Sequence, residues 1–386
     1  MKRKILFHYS VFNIGGAERS TLKLIKKLLD ADWDVDIVMT TGGGSLEHEI
    51  DQRAKIKYLR DRASGDRFLQ AKGVVQKLLA IDDLVMYFLF RMQEYLRKQS
   101  YKNQQYDAAM VSLTGLSPDF CLNYVKAGTT IQWIRNDLNL CDSEKKAHNH
   151  ILEYGQRMDY YLCVATTTHN SFCNLYPNLK DKACMIYNML EPEEMIERAE
   201  QGENPYAQYP KDLIKIVTVC RLSDKSKGLI RMMYQFKRLL NEGYDAMWFI
   251  VGDGTDKKMI EDEIVKLGIQ DRMIITGEKP NPYPYYKYAD ISATLSYFEG
   301  LCGTVNEAKV LGKPIIATKF SGVEEQLENG VNGLIVENNA EAIYDGLKKI
   351  LTDDTFRAQI TNNYLPEPIV DDNFKLKQIE ALFEKA

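Results

Sequence analysis

The stretch Ser296-Tyr-Phe-Glu-Gly-Leu-Cys-Gly-Thr-Val-Asn-Glu-Ala-Lys-Val-Leu-Gly-Lys-Pro-Ile-Ile-Ala-Thr318 shows how this chain of 386 residues is organised. It follows an apolar run at 290–295, passes through a glycine-containing loop into a helical pattern at 303–312, and ends in a second apolar run at 314–318. Two short apolar strands separated by a helix of that length form a β–α–β unit, in which the strands are parallel. The stretch therefore predicts an α/β fold.

The same alternation extends outward from this stretch. In the second half we predict further strands at 214–220, 246–251, 272–276 and 333–336, and helices near 228–242, 256–267, 322–329 and 340–352. In the first half we predict strands at 4–9, 35–39, 108–113, 130–134 and 160–165, with a helix beginning near residue 20. Because apolar periodicity switches between strand and helix in this way, the sequence predicts two Rossmann-like domains whose parallel sheets face an interdomain cleft.

A change of composition near the middle divides the chain. The stretch that opens with Glu191-Pro-Glu-Glu194 is acidic and polar, and it contains Gly and Pro as far as Tyr209-Pro210. A fresh apolar run begins at Leu213. Such a composition is typical of a linker, which we place at about 190–212. We therefore expect a first domain over 1–190 and a second over 191–372.

Composition excludes several classes of protein. The hydrophobic content of 45% and charged content of 27% are those of a soluble globular chain, and the net charge of −4 argues against a dedicated nucleic-acid binder. The longest apolar run, about Leu84–Phe90, is far shorter than the roughly 20 residues of a membrane span. No secretion signal opens the sequence, and its seven cysteines form no CxxC pair. We expect a cytoplasmic protein.

One region concentrates positive charge. Residues 52–105 hold twelve Lys or Arg against five Asp or Glu, interleaved with apolar and aromatic residues in two helical stretches at about 66–79 and 83–99. Two interpretations stay open. The apolar positions face the core of the first domain while the charges are solvated, or the region rests on anionic lipid, which attracts basic residues beside an apolar stripe.

Three loops after strands carry candidate ligand-binding residues, because open α/β sheets bind ligands where strands end and helices begin. Gly15-Gly16 follow the first strand, where they either let the backbone approach a phosphate or form a tight turn. Arg221 and Lys227 follow the strand at 214–220, where such cations bind phosphate or belong to a solvated loop. Gly252-Asp-Gly254 ends the strand at 246–251 and by itself marks only a strand–helix junction.

The fourth and most specific candidate site lies in the stretch Ser296–Thr318. Glu299 stands at the end of a strand, and Glu307 lies about one turn inside the next helix. Free N–H groups near Cys302, Gly303 and Thr304 would hold a phosphate at the helix N-terminus. Two carboxylates at this spacing would hold sugar hydroxyls, although coincidence is the alternative explanation.

Together these motifs resemble the retaining glycosyltransferases of the GT4 type, which have the two-domain GT-B fold. The two glutamates separated by seven residues, running on into Gly312-Lys-Pro-Ile-Ile-Ala-Thr318, match that family in order, spacing and flanks. The other motifs that match are Gly15-Gly16, Arg221 with Lys227-Gly228, and Gly252-Asp-Gly254. The resemblance is detailed over about 213–355 and looser in the first half.

The resemblance implies a role for each matching residue, in an enzyme without metal ion or cofactor whose substrate is a nucleotide sugar. Arg221 and Lys227 would clamp the donor diphosphate, and Glu299 would hold hydroxyls of the donor sugar. Glu307 would accept hydrogen bonds from the ribose. The remaining donor contacts would come from Gly15, Gly16, Gly252, Leu301, Cys302, Gly303 and Thr304.

The resemblance also implies a function. Residues 1–190 would bind the acceptor, residues 191–372 would bind the donor, and a helix over 373–386 would pack back on the first domain. We expect transfer of a hexosyl or N-acetylhexosaminyl group from a UDP-sugar to a lipid-linked or polysaccharide acceptor, in cell-surface glycan synthesis. An anionic membrane surface is a further expected partner, whereas nucleic acid is not. The alternatives are a GT-B-type sugar-nucleotide epimerase and a catalytically silent sugar-nucleotide-binding scaffold of a membrane glycan complex.

One departure from the family pattern lies in the first half. Relatives often carry a histidine at a strand end where this chain has Gln132-Trp-Ile-Arg135-Asn-Asp137. An arginine has no acceptor atom and does not act as a base near neutral pH. We assign Arg135 and Asp137 to an anionic acceptor or a donor carboxylate, with a structural salt bridge between them as the alternative.

Overall fold

The computed structural model describes residues 2–13, 15–61, 71–139, 145–362 and 364–384. Contacts divide the chain into two compact units. The first unit consists of Met1–Val164, His169–Met189 and Asn373–Ala386, and the second of Ala165–Thr168 and Leu190–Asp372. Each unit is built on one parallel sheet, so the prediction of an α/β fold is confirmed.

The first sheet has seven strands in the order β3-β2-β1-β4-β5-β6-β7. Their bounds are β1 Lys4–Tyr9, β2 Asp34–Met39, β3 Lys55–Tyr58, β4 Gln105–Val111, β5 Lys126–Ile134, β6 Tyr160–Cys163 and β7 Ala183–Met185. In the parallel register, Phe7 lies beside Ile37 on one side and Met110 on the other. The strand order reverses between β1 and β4, and ligands of open α/β sheets bind beyond the carboxyl ends of strands at such a reversal.

The second sheet has six parallel strands in the order β10-β9-β8-β11-β12-β13. Their bounds are β8 Ile214–Val219, β9 Ala246–Val251, β10 Met273–Gly277, β11 Ile291–Thr294, β12 Ile315–Thr318 and β13 Leu334–Val336. The order reverses between β8 and β11, so this pair is the expected place for a ligand in the second unit.

Helices join the strands. In chain order they are α1 (Gly16–Asp30), α2 (Val74–Leu79), α3 (Ile81–Gln99), α4 (Asp119–Tyr124), α5 (Lys145–Tyr154), α6 (Thr166–Leu175), α7 (Pro192–Glu200), α8 (Asp224–Lys227), α9 (Leu229–Asn241), α10 (Lys257–Leu267), α11 (Tyr283–Tyr288), α12 (Gly303–Val310), α13 (Val323–Gln326), α14 (Ala340–Thr352), α15 (Asp354–Gln359), α16 (Glu367–Val370) and α17 (Asp372–Phe383). Among the described residues, no helix combines the length and the apolarity that crossing a membrane requires.

Apolar helix faces cover the sheets. In the second unit, Phe236 on α9 meets the fully buried Trp248 of β9 edge to face, with ring centroids 5.2 Å apart. In the first unit, α17 is held by Glu380, which accepts hydrogen bonds from Arg3 and from the indole N–H of Trp33. The last helix therefore packs against β1 and the turn before β2.

The segment predicted to be a linker contains a helix. The sequence places a linker at about 190–212, but α7 occupies Pro192–Glu200 and buries Met195 and Ala199. Proline in the first turn, followed by Glu193 and Glu194, suits a helix start because proline lacks the N–H that would be unpaired there and carboxylates are attracted to the positive helix end. Those residues therefore mark the beginning of a helix in the second unit.

A buried lysine makes stability depend on pH. Lys309 on α12 is fully buried, and its Nζ donates a hydrogen bond of 3.2 Å to the carbonyl of Ile360. Burial lowers its pKa from 10.5 to about 8. Between these two pH values the unfolded chain holds a proton that the folded protein has lost, so the free energy of unfolding rises with pH by about 3 kcal/mol from this group.

We therefore compare the free energy of unfolding of wild type with that of Lys309→Met, measured with urea. Between pH 8 and 10.5, the value for wild type should rise by about 3 kcal/mol relative to the value for the variant. Methionine keeps the apolar stem and cannot titrate. Parallel stability curves for the two proteins over this range would contradict the prediction.

Candidate functional site

The second unit brings its candidate residues to one edge of its sheet. Arg221 and Lys227 follow β8, Gly252 follows β9, and Glu299 follows β11. Strand β8 pairs with both β9 and β11, and all three run parallel. Their carboxyl ends therefore lie together, at the point where the strand order reverses. The sequence-predicted residues of this half thus share one place in the fold.

Lys227 and Glu299 form an ion pair at this edge. The Lys227 ammonium donates to Glu299 Oε1, and the hydroxyl of Ser296 donates to the same oxygen at 2.7 Å. Both charged side chains are mostly buried, with 21% and 15% of their surfaces exposed. Burial lowers the pKa of Lys227, but the adjacent carboxylate outweighs burial and the pKa is raised overall. Lys227 is therefore a fixed cation near neutral pH.

A small pocket surrounds this pair. Its lining includes Thr218, Lys227, Ser296, Glu299 and Thr304, so it combines a cation, a carboxylate and several hydroxyls. Ser296 is itself held in place, because the Thr318 hydroxyl donates to its carbonyl at 2.6 Å. The pocket therefore gathers a cation, a carboxylate and several hydroxyls at the carboxyl ends of β8 and β11.

The first turn of α12 borders the pocket, with one difference from the sequence prediction. The N–H of Cys302 donates to Gln326 Oε1 at 3.2 Å, and the Gln326 amide donates back to the Cys302 carbonyl at 2.8 Å. The expected free N–H at Cys302 is therefore wrong, because Gln326 already binds it. Gly303 and Thr304 occupy the first helical turn, where N–H groups have no partner within the helix. The Leu301 side chain is half-buried just before this turn.

Glu307 is oriented by a tyrosine that the sequence analysis missed. Tyr286 on α11 is fully buried, and its hydroxyl donates to Glu307 Oε2 at 3.1 Å. Burial, together with the nearby carboxylate, raises the pKa of Tyr286 well above its usual value. The hydroxyl therefore stays protonated and acts as a constant donor to Glu307. No motif marks Tyr286, since it lies among several tyrosines in a short helix.

Two glycines allow the loops after β8 and β9 to touch. Gly252 has a φ of +149°, and a Cβ there would lie 1.9 Å from the carbonyl oxygen of Cys220. A Cβ on Gly254 would lie 2.4 Å from the carbonyl oxygen of Leu222. Leu222, next to Arg221, also donates its N–H to Asp253. Gly252 therefore holds the loop that carries Arg221, and its donor contact stays a prediction.

In the first unit, Gly15 and Gly16 lie where β1 leads into α1. Gly15 is the residue before the helix and has an extended backbone with a φ of 180°, which any residue adopts. A Cβ on Gly16 would meet no atom within 4 Å. A strained turn therefore does not explain the two glycines, and their contact with the donor stays a prediction.

Arg135 is buried in the first unit. Its guanidinium donates to the Ser112 carbonyl at 2.9 Å and to the Thr21 hydroxyl at 2.6 Å, and it lies 3.5 Å from the ring centroid of Trp133. Burial lowers its pKa to about 10. Arg135 is therefore a cation at neutral pH, held by neutral oxygens of Ser112, directly after β4, and of Thr21 in α1.

Asp137 lies in a different hydrogen-bond network. Its Oδ1 accepts from the Ser171 hydroxyl at 2.6 Å and from the N–H of Asn139 at 3.0 Å. Ser171 also accepts from the Asn139 side chain at 2.7 Å. These contacts fix the loop after β5 against α6, which gives Asp137 a structural role in addition to the predicted one.

Comparison with known families gives a match within the second unit. The family model described as glycosyl transferases group 1 matches residues 205–364, which include every candidate residue of the second unit. The chain therefore carries a group 1 glycosyltransferase domain over these residues. Within the family, it is 27% identical over 206 residues to an uncharacterized glycosyltransferase of Methanocaldococcus jannaschii, a match that covers 53% of this chain and 50% of that protein.

Another curated relative has a specific name. The N-acetylgalactosamine-N,N'-diacetylbacillosaminyl-diphospho-undecaprenol 4-alpha-N-acetylgalactosaminyltransferase of Campylobacter jejuni is 27% identical over 188 residues, covering 48% of this chain and 49% of that protein. The chain spans about half the length of these curated relatives. The matches therefore support the assignment to a glycosyltransferase family.

Solved structures show the fold of this glycosyltransferase. Anabaena HepE in complex with UDP superposes with a TM-score of 0.76 at 16% identity, covering 99% of this chain and all of HepE. WaaG, involved in lipopolysaccharide biosynthesis, superposes with a TM-score of 0.70 at 14% identity and similar coverage. The predicted GT-B fold is therefore confirmed.

Proposed function

We propose that this protein is a retaining glycosyltransferase of the GT4 type that transfers a hexosyl or N-acetylhexosaminyl group from a UDP-sugar to a lipid-linked or polysaccharide acceptor. The observation that carries the proposal is the pocket in which the fixed cation Lys227 meets Glu299 beside the start of α12. UDP bound to HepE supports the choice of nucleotide. The undecaprenol-linked substrate in the name of the Campylobacter relative supports a lipid-linked acceptor.

Each residue of the pocket has a role in this proposal. Lys227 and the exposed Arg221 bind the diphosphate and offset the negative charge that grows as it leaves. The N–H groups of Gly303 and Thr304 bind the same diphosphate at the positive end of α12. Glu299 binds hydroxyls of the donor sugar, while Glu307, held by Tyr286, accepts hydrogen bonds from the ribose.

In this proposal, neither a metal ion nor a cofactor takes part, because Lys227 and Arg221 supply positive charge to the diphosphate. The acceptor binds to residues of the first unit, whereas Gly15 and Gly16 provide a loop that the sugar and phosphate of the donor approach closely. Arg135 and Asp137 contribute to an anionic part of the acceptor or to a donor carboxylate. We place the enzyme in the cytoplasm, at the inner face of the cell membrane, where lipid-linked glycans are extended.

Binding of nucleotides tests the donor. A ligand that binds only the native state raises the free energy of unfolding, by about 2.7 kcal/mol at a concentration about 100-fold above Kd. We expect UDP and UDP-sugars to raise the melting temperature more than the corresponding guanosine and thymidine compounds do. Absence of a shift with every nucleoside diphosphate would overturn the proposal.

Product analysis separates the two alternatives from the transferase. A sugar-nucleotide epimerase converts the donor to an isomer, whereas a transferase releases UDP and forms a glycosidic bond. A catalytically silent scaffold binds the donor and releases nothing. The intact set Arg221, Lys227, Glu299 and Glu307 favours the transferase, since a silent protein has no need of it.

We expect Tyr286→Phe to raise the Kd for UDP about tenfold, because a hydrogen bond to a charged group contributes about 1.5–3 kcal/mol and part of that is recovered by solvent. The Tyr286 hydroxyl reaches no atom of the ligand in this proposal, and it acts by orienting Glu307. Calorimetric titration with UDP measures the change, and kcat at saturating donor should fall much less.

The matched control is Tyr285→Phe, a change of the same kind on the same helix, where the residue is half-buried and its carbonyl already accepts from Tyr206. It should leave the Kd unchanged. Equal Kd values for wild type and Tyr286→Phe would contradict the positioning role of Tyr286.

A further inference from the structure

Helix α3 buries a charged residue, Glu94, together with Phe90, and leaves most of its apolar side chains exposed. Glu94 is buried on the inner side, where it accepts from Arg91 at 2.8 Å and pairs with Lys98 at 3.0 Å. The outward side chains are about half exposed or more: Ile81, Val85, Phe88, Leu89, Met92, Tyr95 and Leu96. This arrangement is the reverse of an ordinary surface helix, whose apolar side faces the core.

Helix α2 extends the same surface. None of its side chains is buried, and Val74, Val75, Leu78 and Leu79 are between 62% and 76% exposed. A helix of six residues is unstable in water unless it packs against something. We call these four residues, together with the seven exposed ones of α3, the α2–α3 apolar face.

This face stands out from the rest of the described surface. Of the 21 large apolar side chains that are exposed in the described residues, eleven belong to it, and the other ten are scattered along the chain. Single exposed apolar residues are ordinary, but a continuous patch marks a binding surface. The sequence-based alternative that the apolar positions of this region face the core is therefore wrong for these eleven residues. Arg62, Arg67, Phe68 and Leu69, which belong to the same basic region, lie outside the described residues.

Charge decides which partner the face fits. Residues 71–105 contain six Lys or Arg and three Asp or Glu, and one of the acidic residues is the inward-facing Glu94. A second copy of the chain, paired through the same surface, would bring two net positive faces together. An anionic lipid leaflet instead attracts the basic rim and accepts the apolar side chains.

We propose that the α2–α3 apolar face inserts into the surface of an anionic lipid bilayer. The apolar side chains supply most of the affinity, and Lys72 and Lys77 lie near the phosphate headgroups. The exposed apolar length of α3 lies along the membrane surface, in keeping with a helix that does not cross it. The biological role of this contact, bringing the enzyme to a lipid-linked acceptor, rests on the proposed function. The contact itself does not require catalytic activity.

Vesicle binding tests the contact. We expect the full chain to co-sediment with phosphatidylcholine vesicles that contain phosphatidylglycerol, at least about tenfold more strongly than with pure phosphatidylcholine, and less at high salt. The variant Leu79→Glu/Phe88→Glu/Met92→Glu should bind the anionic vesicles more than about 100-fold more weakly, because three apolar side chains no longer leave water. The control is Leu152→Glu/Ile196→Glu/Val265→Glu, which adds the same charge at exposed apolar sites outside the face. It should bind the anionic vesicles at least about tenfold more tightly than the first variant does.

Insertion depth gives a second measurement. All three tryptophans, Trp33, Trp133 and Trp248, are buried with at most 1% of their surface exposed. The variant Tyr95→Trp therefore places the one new indole on the face, where Tyr95 is 54% exposed. We expect vesicles with brominated acyl chains to quench the added fluorescence of this variant, and to leave wild-type fluorescence unchanged.

Several results would overturn the proposal: no vesicle binding by wild type, equal binding by the face variant and the control, or an unquenched indole in Tyr95→Trp. A wild-type dimer that the face variant converts to a monomer, without vesicle binding, would assign the face to a second copy. UDP binding, measured on the same variants without vesicles, distinguishes this failure from that of the proposed function. Absence of UDP binding by the wild-type chain, with its vesicle binding intact, would reject the function and leave the membrane contact standing.

Discussion

Replacing Lys227 by methionine is expected to lower the rate of sugar transfer by about 10²–10³-fold, the range found when one charge-stabilising donor is removed from an active site. Methionine keeps the apolar stem of the side chain and removes the cation that meets Glu299. Because the diphosphate gains charge as it leaves, the loss should fall on kcat as well as on binding. Release of UDP from a UDP-sugar, in the presence of acceptor, measures it.

Stability has to be separated from catalysis in this experiment. Without Lys227, the mostly buried carboxylate of Glu299 keeps its hydrogen bond from Ser296 but loses its cation, which we expect to lower the free energy of unfolding by about 3 kcal/mol, the lower end of the range for breaking a buried ion pair. The double variant Lys227→Met/Glu299→Gln removes both charges and should recover most of that stability while staying inactive. Recovery of activity in the double variant would assign Lys227 to structure alone.

Neighbouring cations provide the matched comparison. Arg221→Ala should reduce transfer over a similar range, since Arg221 follows the same strand and is exposed. Lys225→Ala changes an exposed lysine of α8, two residues before Lys227, to which no role is assigned, and it should have near-normal activity. Near-normal turnover in both Arg221→Ala and Lys227→Met would reject the diphosphate clamp.

The parallel sheets follow from the sequence because buried strands and helices alternate with clear apolar periods. Strand β9 reads Ala-Met-Trp-Phe-Ile-Val and is buried throughout, so its place is unambiguous. Strand β3 is missed because Lys55-Ile-Lys-Tyr58 has only two apolar positions at the edge of its sheet. Helix α7 is missed because its proline and glutamates also suit a linker, and the burial of Met195 and Ala199 distinguishes the two.

The candidate site also contains some residues that the sequence predicts and others that it does not. Arg221, Lys227, Glu299 and Glu307 are predictable because they lie in short motifs directly after strands. Tyr286 and Gln326 are not, because each acts through tertiary hydrogen bonds to a residue more than 20 positions away along the chain. The partners of Arg135 are equally hidden, since Ser112 and Thr21 reach it from a different strand and helix.

The two glutamates of the site should affect different parts of the donor. Glu307→Gln is expected to weaken binding of both UDP and the intact UDP-sugar by about 10–100-fold, the loss of a charged acceptor for the ribose hydroxyls. Glutamine still accepts a hydrogen bond from Tyr286, so the fold around it is kept. Calorimetry with UDP and with UDP-sugar measures both affinities.

Glu299→Gln should behave in the opposite way. Its proposed partner is the sugar, so we expect UDP affinity to stay the same or to rise, because Lys227 is no longer neutralised by the carboxylate at its side. Transfer should nevertheless fall by at least about 10²-fold, since the sugar hydroxyls lose a charged acceptor placed at the reacting end of the donor. The two substitutions are chemically identical and lie eight residues apart in the chain. A difference in UDP affinity between the two variants therefore results from where each carboxylate lies in the site. Equal loss of UDP affinity in the two variants would show that both carboxylates bind the nucleotide, and the assignment of Glu299 to the sugar would be wrong.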